Sequence, residues 1–327
     1  MPMDDSLSIL DVGHGNCAVL RRLDHIIVID AGQKSALLEF LESTKTTRVD
    51  VVLVSHADAD HIGGLLGLLT CGKFSFGEIR LNSDALKESK AWDDLLFVLD
   101  EMRQAGEVQF SPSLTTGDSG RFNHGDVSVE ILAPSGYLAG KGPGGLDRNE
   151  RKITSNTISA VIKIVKDGNP IALLTGDLDD VGLANIAEGG VDIKASLLVF
   201  PHHGGRSGVA DPVDFAHALY DLVQPSIVAF SMGRDRFENP RPDIVRALKN
   251  RREDIRIMCT QLSKHCAPEL PVHMPDHLSD AFSQGRERRK CCAGTMVISF
   301  ENPAALLPAS DLHRAFIAKY APKALCK

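Results

Sequence analysis

Residues 53–65 read LVSHADADHIGGL, placing two carboxylates, Asp58 and Asp60, between two imidazoles, His56 and His61, at the exit of an apolar run. Carboxylates one residue apart repel each other and, at the edge of a core, lose hydration; a cation among them relieves both. Imidazole with carboxylate suits zinc, manganese or iron, and a strand-to-helix corner lets neighbouring side chains aim at one spot. The alternative is a solvated acidic turn whose histidine caps a helix. Two later segments argue against it. IALLTGD at 171–177 is a buried strand that stops on Gly176 and Asp177, and LLVFPHHGG at 197–205 delivers His202 and His203 to the same kind of strand edge.

The remaining pattern predicts an α/β chain. Strands are expected at 7–12, 18–20, 26–30, 49–55, 79–82, 127–132, 159–165, 171–175, 196–200 and 227–231, and helices at 35–43, 91–105, 179–188, 213–222 and 241–251. Early strands follow one another as hairpins and later ones alternate with helices, which calls for a mixed sheet pair covered by helices. The Gly-, Lys- and Arg-rich stretch 135–155 reads as a flexible surface flap. With 327 residues, 43% of them hydrophobic, the chain has ample material for a core. No stretch approaches the roughly 20 apolar residues of a membrane helix. The opening MPMDDSLSIL lacks the basic-then-apolar order of an export signal, so a cytoplasmic location is expected. A net charge of −7 excludes a global basic field, so a polyanionic partner must be held locally.

In order and spacing these segments resemble the metallo-β-lactamase superfamily, in which His-x-His-x-Asp-His, a later bridging Asp and a final His hold two metals. The chain is most similar to the branch with His-x-Asp-x-Asp-His, typified by the cytoplasmic domain of competence DNA-uptake channels of the ComEC type. Five segments agree: LSILDVGHGNCAVL with IDAG at 29–32, SHADADHIGG, NTISAVIKI, LLTGD with FPHHGG, and SMGRDRFENP, spanning residues 7–240. The resemblance implies a four-layer αββα sandwich with a core over 1–258, an insertion at 259–293 within a terminal hairpin, and a last strand and helix over 294–327. It implies that His56 and Asp58 serve one metal, that Asp60 and His61 serve the other, and that Asp177 bridges them. A member of the His202/His203 pair completes the second; alignment of the HG favours His203, leaving His202 to orient water or leaving group. Asp60 is also expected to touch the attacking water. The chain departs from the branch where His14 and Asn16 stand for Gln and Asp, and where Asn239 precedes Pro240 in place of His. At the middle ligand position of other members, Asn156 is nearest in order and His124 a weaker candidate.

Two divalent ions at such a site lower the pKa of a shared water and clamp both oxygens of an in-line phosphodiester displacement. The oxygen contributed by Asp58 shifts preference toward manganese, with zinc the other candidate. Arg206, Arg234, Arg236 and Arg241 flank the HHGG and SMG turns and, if they face the mouth, would receive a phosphate backbone; the flap adds Lys141, Arg148, Arg151 and Lys152. The expected activity is therefore a phosphodiesterase or nuclease acting on nucleic acid or a nucleotide. His14, Asn156, Arg206, Arg234, Arg236 and Asn239 are the candidate substrate contacts. Hydrolysis of a small ester, lactone, β-lactam or cyclic nucleotide is the second hypothesis, and a metal-free partner-binding module the third.

Seven cysteines, Cys17, Cys71, Cys259, Cys266, Cys291, Cys292 and Cys326, make an odd count that argues against a disulfide framework. Four of them fall in 259–292, where a polar insertion has little core of its own. A structural zinc held by Cys259, Cys266 and one or both of Cys291 and Cys292, with His265 as substitute ligand, would staple it; buried free thiols are the alternative. The adjacent RERRK, Arg286–Lys290, reads either as a solvated loop or as an extension of a nucleic-acid track.

Overall fold

The computed structural model describes residues 5–208, 210–303 and 305–327. Its strands are β1 (Ser6–Ile9), β2 (Ala18–Arg22), β3 (His25–Ile29), β4 (Arg48–Leu53), β5 (Ser75–Arg80), β6 (Gln109–Ser111), β7 (Val127–Ala133), β8 (Val161–Lys166), β9 (Asn169–Leu174), β10 (Leu197–Val199), β11 (Ile227–Phe230), β12 (Arg256–Cys259), β13 (Met296–Ser299) and β14 (Leu306–Leu307). They form an eight-stranded sheet, β14-β13-β1-β2-β3-β4-β5-β6, and a six-stranded sheet, β12-β11-β10-β9-β8-β7. Helices are α1 (Ala36–Ser43), α2 (Ala59–Ile62), α3 (Leu65–Thr70), α4 (Lys90–Gln104), α5 (Gly136–Lys141), α6 (Asp180–Glu188), α7 (Pro212–Val223), α8 (Pro242–Arg251) and α9 (Ser310–Tyr320). Among the described residues no helix is long and apolar enough to cross a membrane.

Period-two patterning explains the layering, because alternate side chains of one strand reach opposite faces. In β3, Ile27 and Ile29 join the cluster between the sheets, together with Leu7, Val129, Ile162 and Leu174 from both of them. Ile26 and Val28 turn outward and pack with Leu37 and Phe40 of α1 and Leu95 of α4. In the second sheet Leu197 and Val199 face inward, while Leu198 packs with Leu183, Phe215, Leu248 and Phe316 of the other helices. The result is the expected αββα sandwich, with an apolar core in each of its three interlayer spaces.

Three expectations need correction. Segments 255–261 and 294–300 are not arms of one hairpin: β12 pairs in parallel with β11, whereas β13 pairs with β1 in the other sheet. The connection between them therefore crosses from sheet to sheet. It is pinned to the loop after β1 by Asp11, a fully buried carboxylate that accepts bonds from Gly13 N, Gly285 N, Gln261 Nε2 and the Cys291 thiol. Burial pushes the Asp11 pKa up, against these bonds.

The zinc set also fails to assemble. Cys291 is turned to Asp11 at 3.3 Å, His265 Nε2 bonds the Glu238 carbonyl at 3.1 Å, and Cys292 lies 3.3 Å from His313 Nε2. Cys259 and Cys266 line a water-sized void with Cys326, a residue absent from the expected set. Among the described residues, no three of these groups bring their ligand atoms within 4.8 Å of one another.

Finally, 135–155 is folded, not a loose flap. It contains α5, buries Leu138 and Ile153 against Ile158, and pairs Arg151 with both Asp147 and Glu188. Its apolar residues are few but regularly placed, and composition alone conceals that.

Candidate metal centre

β3 and β4 run parallel, as do β9, β10 and β11, so their carboxyl ends gather at one edge of the sandwich. That is where open α/β sheets present side chains to ligands. Asp30 ends β3, His56 to His61 follow β4, Asp177 follows β9, His202 and His203 follow β10, and Ser231 follows β11. Gly176 makes the Asp177 turn possible: its φ is +52°, and a Cβ there would lie 2.3 Å from Ser159 Oγ. Gly15 plays the same part opposite, since a Cβ would meet the Asp60 carbonyl at 2.3 Å.

The imidazoles are oriented from behind. His61 Nδ1 donates to Asp30 Oδ2 at 2.7 Å, and His203 Nδ1 donates to the Ser231 carbonyl at 2.7 Å. Ser55 Oγ gives its proton to Asp30 at 2.8 Å, so at 3.1 Å it accepts from His56 Nδ1. Each bond fixes a tautomer whose Nε2 lone pair faces the centre.

Those lone pairs surround Asp177. Its Oδ1 lies 3.4 Å from His61 Nε2 and 3.7 Å from His203 Nε2, and Asp60 Oδ2 is 3.0 Å from the same His203 nitrogen. Asp60, His61, Asp177 and His203 each offer a ligand atom within 4.8 Å of all the others. On the other side, His56 Nε2 is 3.9 Å from Asp177 Oδ2 and 3.8 Å from Asp58 Oδ2. Atoms bound about 2.0–2.2 Å from a common ion stand roughly 3–3.5 Å apart. Contacts of the first group, 3.0, 3.4 and 3.7 Å, come close to this spacing, and those of the second, 3.8 and 3.9 Å, are slightly wider.

A further observation supports the fit. Nε2 of His56, His61 and His202 is buried with no hydrogen-bond partner among the described residues, an expensive state unless something else satisfies it. Burial alone would raise the Asp177 carboxyl, but His61, His203 and His202 hold it well below the usual carboxylate range. Burial is likewise overcome at Asp58 by His56 and Lys87, and at Asp60 by His203 and His61, so both stay low. Burial would lower His61, yet Asp30 and Asp177 push it well up. Three carboxylates held ionised side by side thus favour positive charge at this edge.

The substrate candidates separate. His14 is at the centre, with Nε2 3.4 Å from Asp60 Oδ2 and its ring 4.3 Å from that of His203. His202 approaches Asp177 Oδ2 through Nδ1 at 3.4 Å, and its own N–H donates to Oδ1. Asn239 donates to the His202 carbonyl at 3.4 Å, and Arg206 is exposed beside the HHGG turn. Asn156 begins the turn that positions Ser159, whose hydroxyl lies 3.5 Å from His56 Nδ1, while its own Oδ1 is buried without a partner. His124 is elsewhere: it stacks on His25, at the opposite end of β3 from Asp30. Arg236 lies over Phe237, its guanidinium 5.7 Å from the ring centroid.

Arg234 contradicts its expected place at the mouth. It is 4% exposed, and its guanidinium donates to the carbonyls of Leu262, Ala267 and Pro268. Arg241 is spent on Asp243. Residues not singled out from sequence are Asp30, Ser55, Ser231 and Lys87, the last ion-paired with Asp58. Only Asp30 carried a signal, as a carboxylate closing a buried strand. Removing its charge in Asp30→Asn is expected to weaken metal binding about 10–100-fold by freeing His61 and Ser55. Calorimetric titration checks this, and unchanged affinity would refute the role.

Residues 10–137 match the family model for the metallo-beta-lactamase superfamily. Competence protein ComA of Neisseria gonorrhoeae is 24% identical over 266 residues, covering 79% of this chain and 31% of that protein. ComE operon protein 3 of Bacillus subtilis is 25% identical over 230 residues, covering 70% of this chain and 25% of that protein. The chain thus spans under a third of the length of these curated relatives. Among solved structures, Igni18, a metallo hydrolase from Ignicoccus hospitalis, shares 17% identity with a TM-score of 0.44, over 76% of this chain and 91% of that one. The family match covers the first ligand cluster, His56 to His61, and the chain is similar to these competence proteins over most of its own length.

Proposed function

We propose that this protein is a metal-dependent phosphodiesterase, most simply a nuclease acting on DNA or RNA. The observation that carries this is Asp177, one carboxylate facing two adjoining ligand groups with an oxygen toward each. His56, Asp58 and Asp177 would hold one divalent ion, zinc or manganese, and Asp60, His61, His203 and Asp177 the second. When bound, such a pair acidifies a solvent molecule and neutralises the charge of a phosphoryl group in displacement.

The chain's own residues do the rest. Asp60 lies between His14 and His203, each touching its Oδ2, and so keeps Oδ1 for a proton on the attacking solvent. His202, held against Asp177 by Nδ1, has Nε2 available to protonate a leaving oxygen. Arg206 and Arg236 supply cationic charge at the rim for the flanking phosphates.

Incubating an end-labelled oligonucleotide with the protein and manganese should release shorter fragments, and Asp60→Ala should abolish their release at unchanged melting temperature. Cleavage confined to a lactone or β-lactam would support the small-molecule alternative. Inertness toward every ester, with or without a chelator, would leave only partner binding.

A further inference from the structure

Beside the candidate metal centre lies a cleft of about 270 Å³ that the proposed metal ligands do not explain. His14 belongs to both: it touches Asp60 on one side and lines the cleft on the other. The walls come from three separated segments, the loops around Lys34 and Arg236 and the sheet-to-sheet connection carrying Arg288 and Lys290. Lys290 is neutralised by Asp235 and Arg234 is consumed internally. Lys34, Arg236 and Arg288 have no carboxylate within 4 Å among the described residues, so the cleft is cationic in a chain of net charge −7. In its lining the Gln33 amide nitrogen is buried without a partner among the described residues. Next to Arg236 of its wall, Phe237 is 53% exposed, its ring centroid 4.6 Å from that of His14 at a tilt of 53° and the Arg236 guanidinium 5.7 Å from it.

An exposed aromatic face beside a cationic groove is what binds an unpaired base and its phosphates: the ring stacks on any base, and the cations follow the backbone. In a duplex the bases are stacked on each other and cannot reach such a ring. We infer that this cleft is a binding track for single-stranded nucleic acid, with one base stacked on Phe237 and the adjoining phosphates on Lys34 and Arg288. It rests on the phosphodiesterase reading for its position next to the chemistry. The sheet-to-sheet connection thereby acquires a role: it brings Arg288 to the substrate.

The test is fluorescence anisotropy of a labelled phosphorothioate oligothymidylate, which resists cleavage, with the metal-loaded full-length protein. Lys34→Gln with Arg288→Gln should weaken binding and flatten the log–log salt dependence by about 1.4, two single-strand phosphate contacts being lost. Phe237→Leu, which keeps apolar bulk but not the ring, should weaken binding about tenfold. Wild-type affinity and salt slope in these variants would overturn the track. So would a duplex that binds as tightly and with the same sensitivity. Loss of binding in a protein that cleaves no phosphodiester would keep the track and sink the catalytic reading; cleavage with variant-insensitive binding would do the reverse.

Discussion

Asp177→Asn is expected to lower oligonucleotide cleavage by about a thousandfold or more, the largest effect of any substitution in this chain. Asparagine keeps the shape of the side chain and the bond its oxygen accepts from the His202 N–H. It removes the charge and one of the two oxygens that face His56 on one side and His61 and His203 on the other. Neither ligand group is then complete, and metal content should fall together with rate. The melting temperature of the metal-free protein should fall, because the folded state holds this carboxylate ionised against His61, His202 and His203 and removing one partner of a buried pair leaves the others uncompensated. Activity within tenfold of wild type, with metal content retained, would show that the two groups do not share this carboxylate.

Arg234→Leu should instead destabilise the protein by about 3 kcal/mol or more. The guanidinium satisfies the Leu262 carbonyl at 2.7 Å, that of Ala267 at 2.8 Å and that of Pro268 at 2.6 Å. Bonds to a charged donor contribute roughly 1.5–3 kcal/mol each, offset by the cost of burying the cation, and two of the abandoned acceptors belong to the buried residues Leu262 and Ala267. The melting temperature should drop on the order of 5–10 °C. Arg234→Lys should rescue little of it, since an ammonium cannot reproduce a planar fork that spans three fixed carbonyls. If Arg234 served substrate directly, both variants would melt normally and only KM would rise.

The fate of Arg234 shows where sequence reasoning reaches its limit. Flanked by Gly233 and Asp235 near an expected active-site loop, it has the same local context as Arg236, yet one is buried among carbonyls and the other is exposed over Phe237. Nothing within the SMGRDRF stretch distinguishes them. The deciding acceptors lie about thirty residues on, in the connection between β12 and β13. The same holds for Cys291: its neighbour Cys292 lies by His313, while Cys291 turns to Asp11, far away in sequence. Cysteine spacing suggested a shared metal because it records proximity along the chain, and the fold separated the thiols by alternating their faces.

His56, Asp58, Asp60, His61, Asp177 and the histidine pair were legible because each sits at the end of a strand whose apolar alternation is strong. Strand ends that share a direction must meet at one sheet edge, so local pattern sufficed to anticipate both the layers and the ligand cluster. His203 was favoured over His202 by the HG spacing and decided at Asp60 by the tertiary structure, whereas the orienting partners Ser55 and Ser231 and the cleft joining Lys34, Arg236 and Arg288 came from tertiary structure alone. These depend on which of two adjacent side chains points inward at a tight turn, and on loops brought together across two sheets. Such relations are set by packing between distant segments, and no short window of residues encodes them.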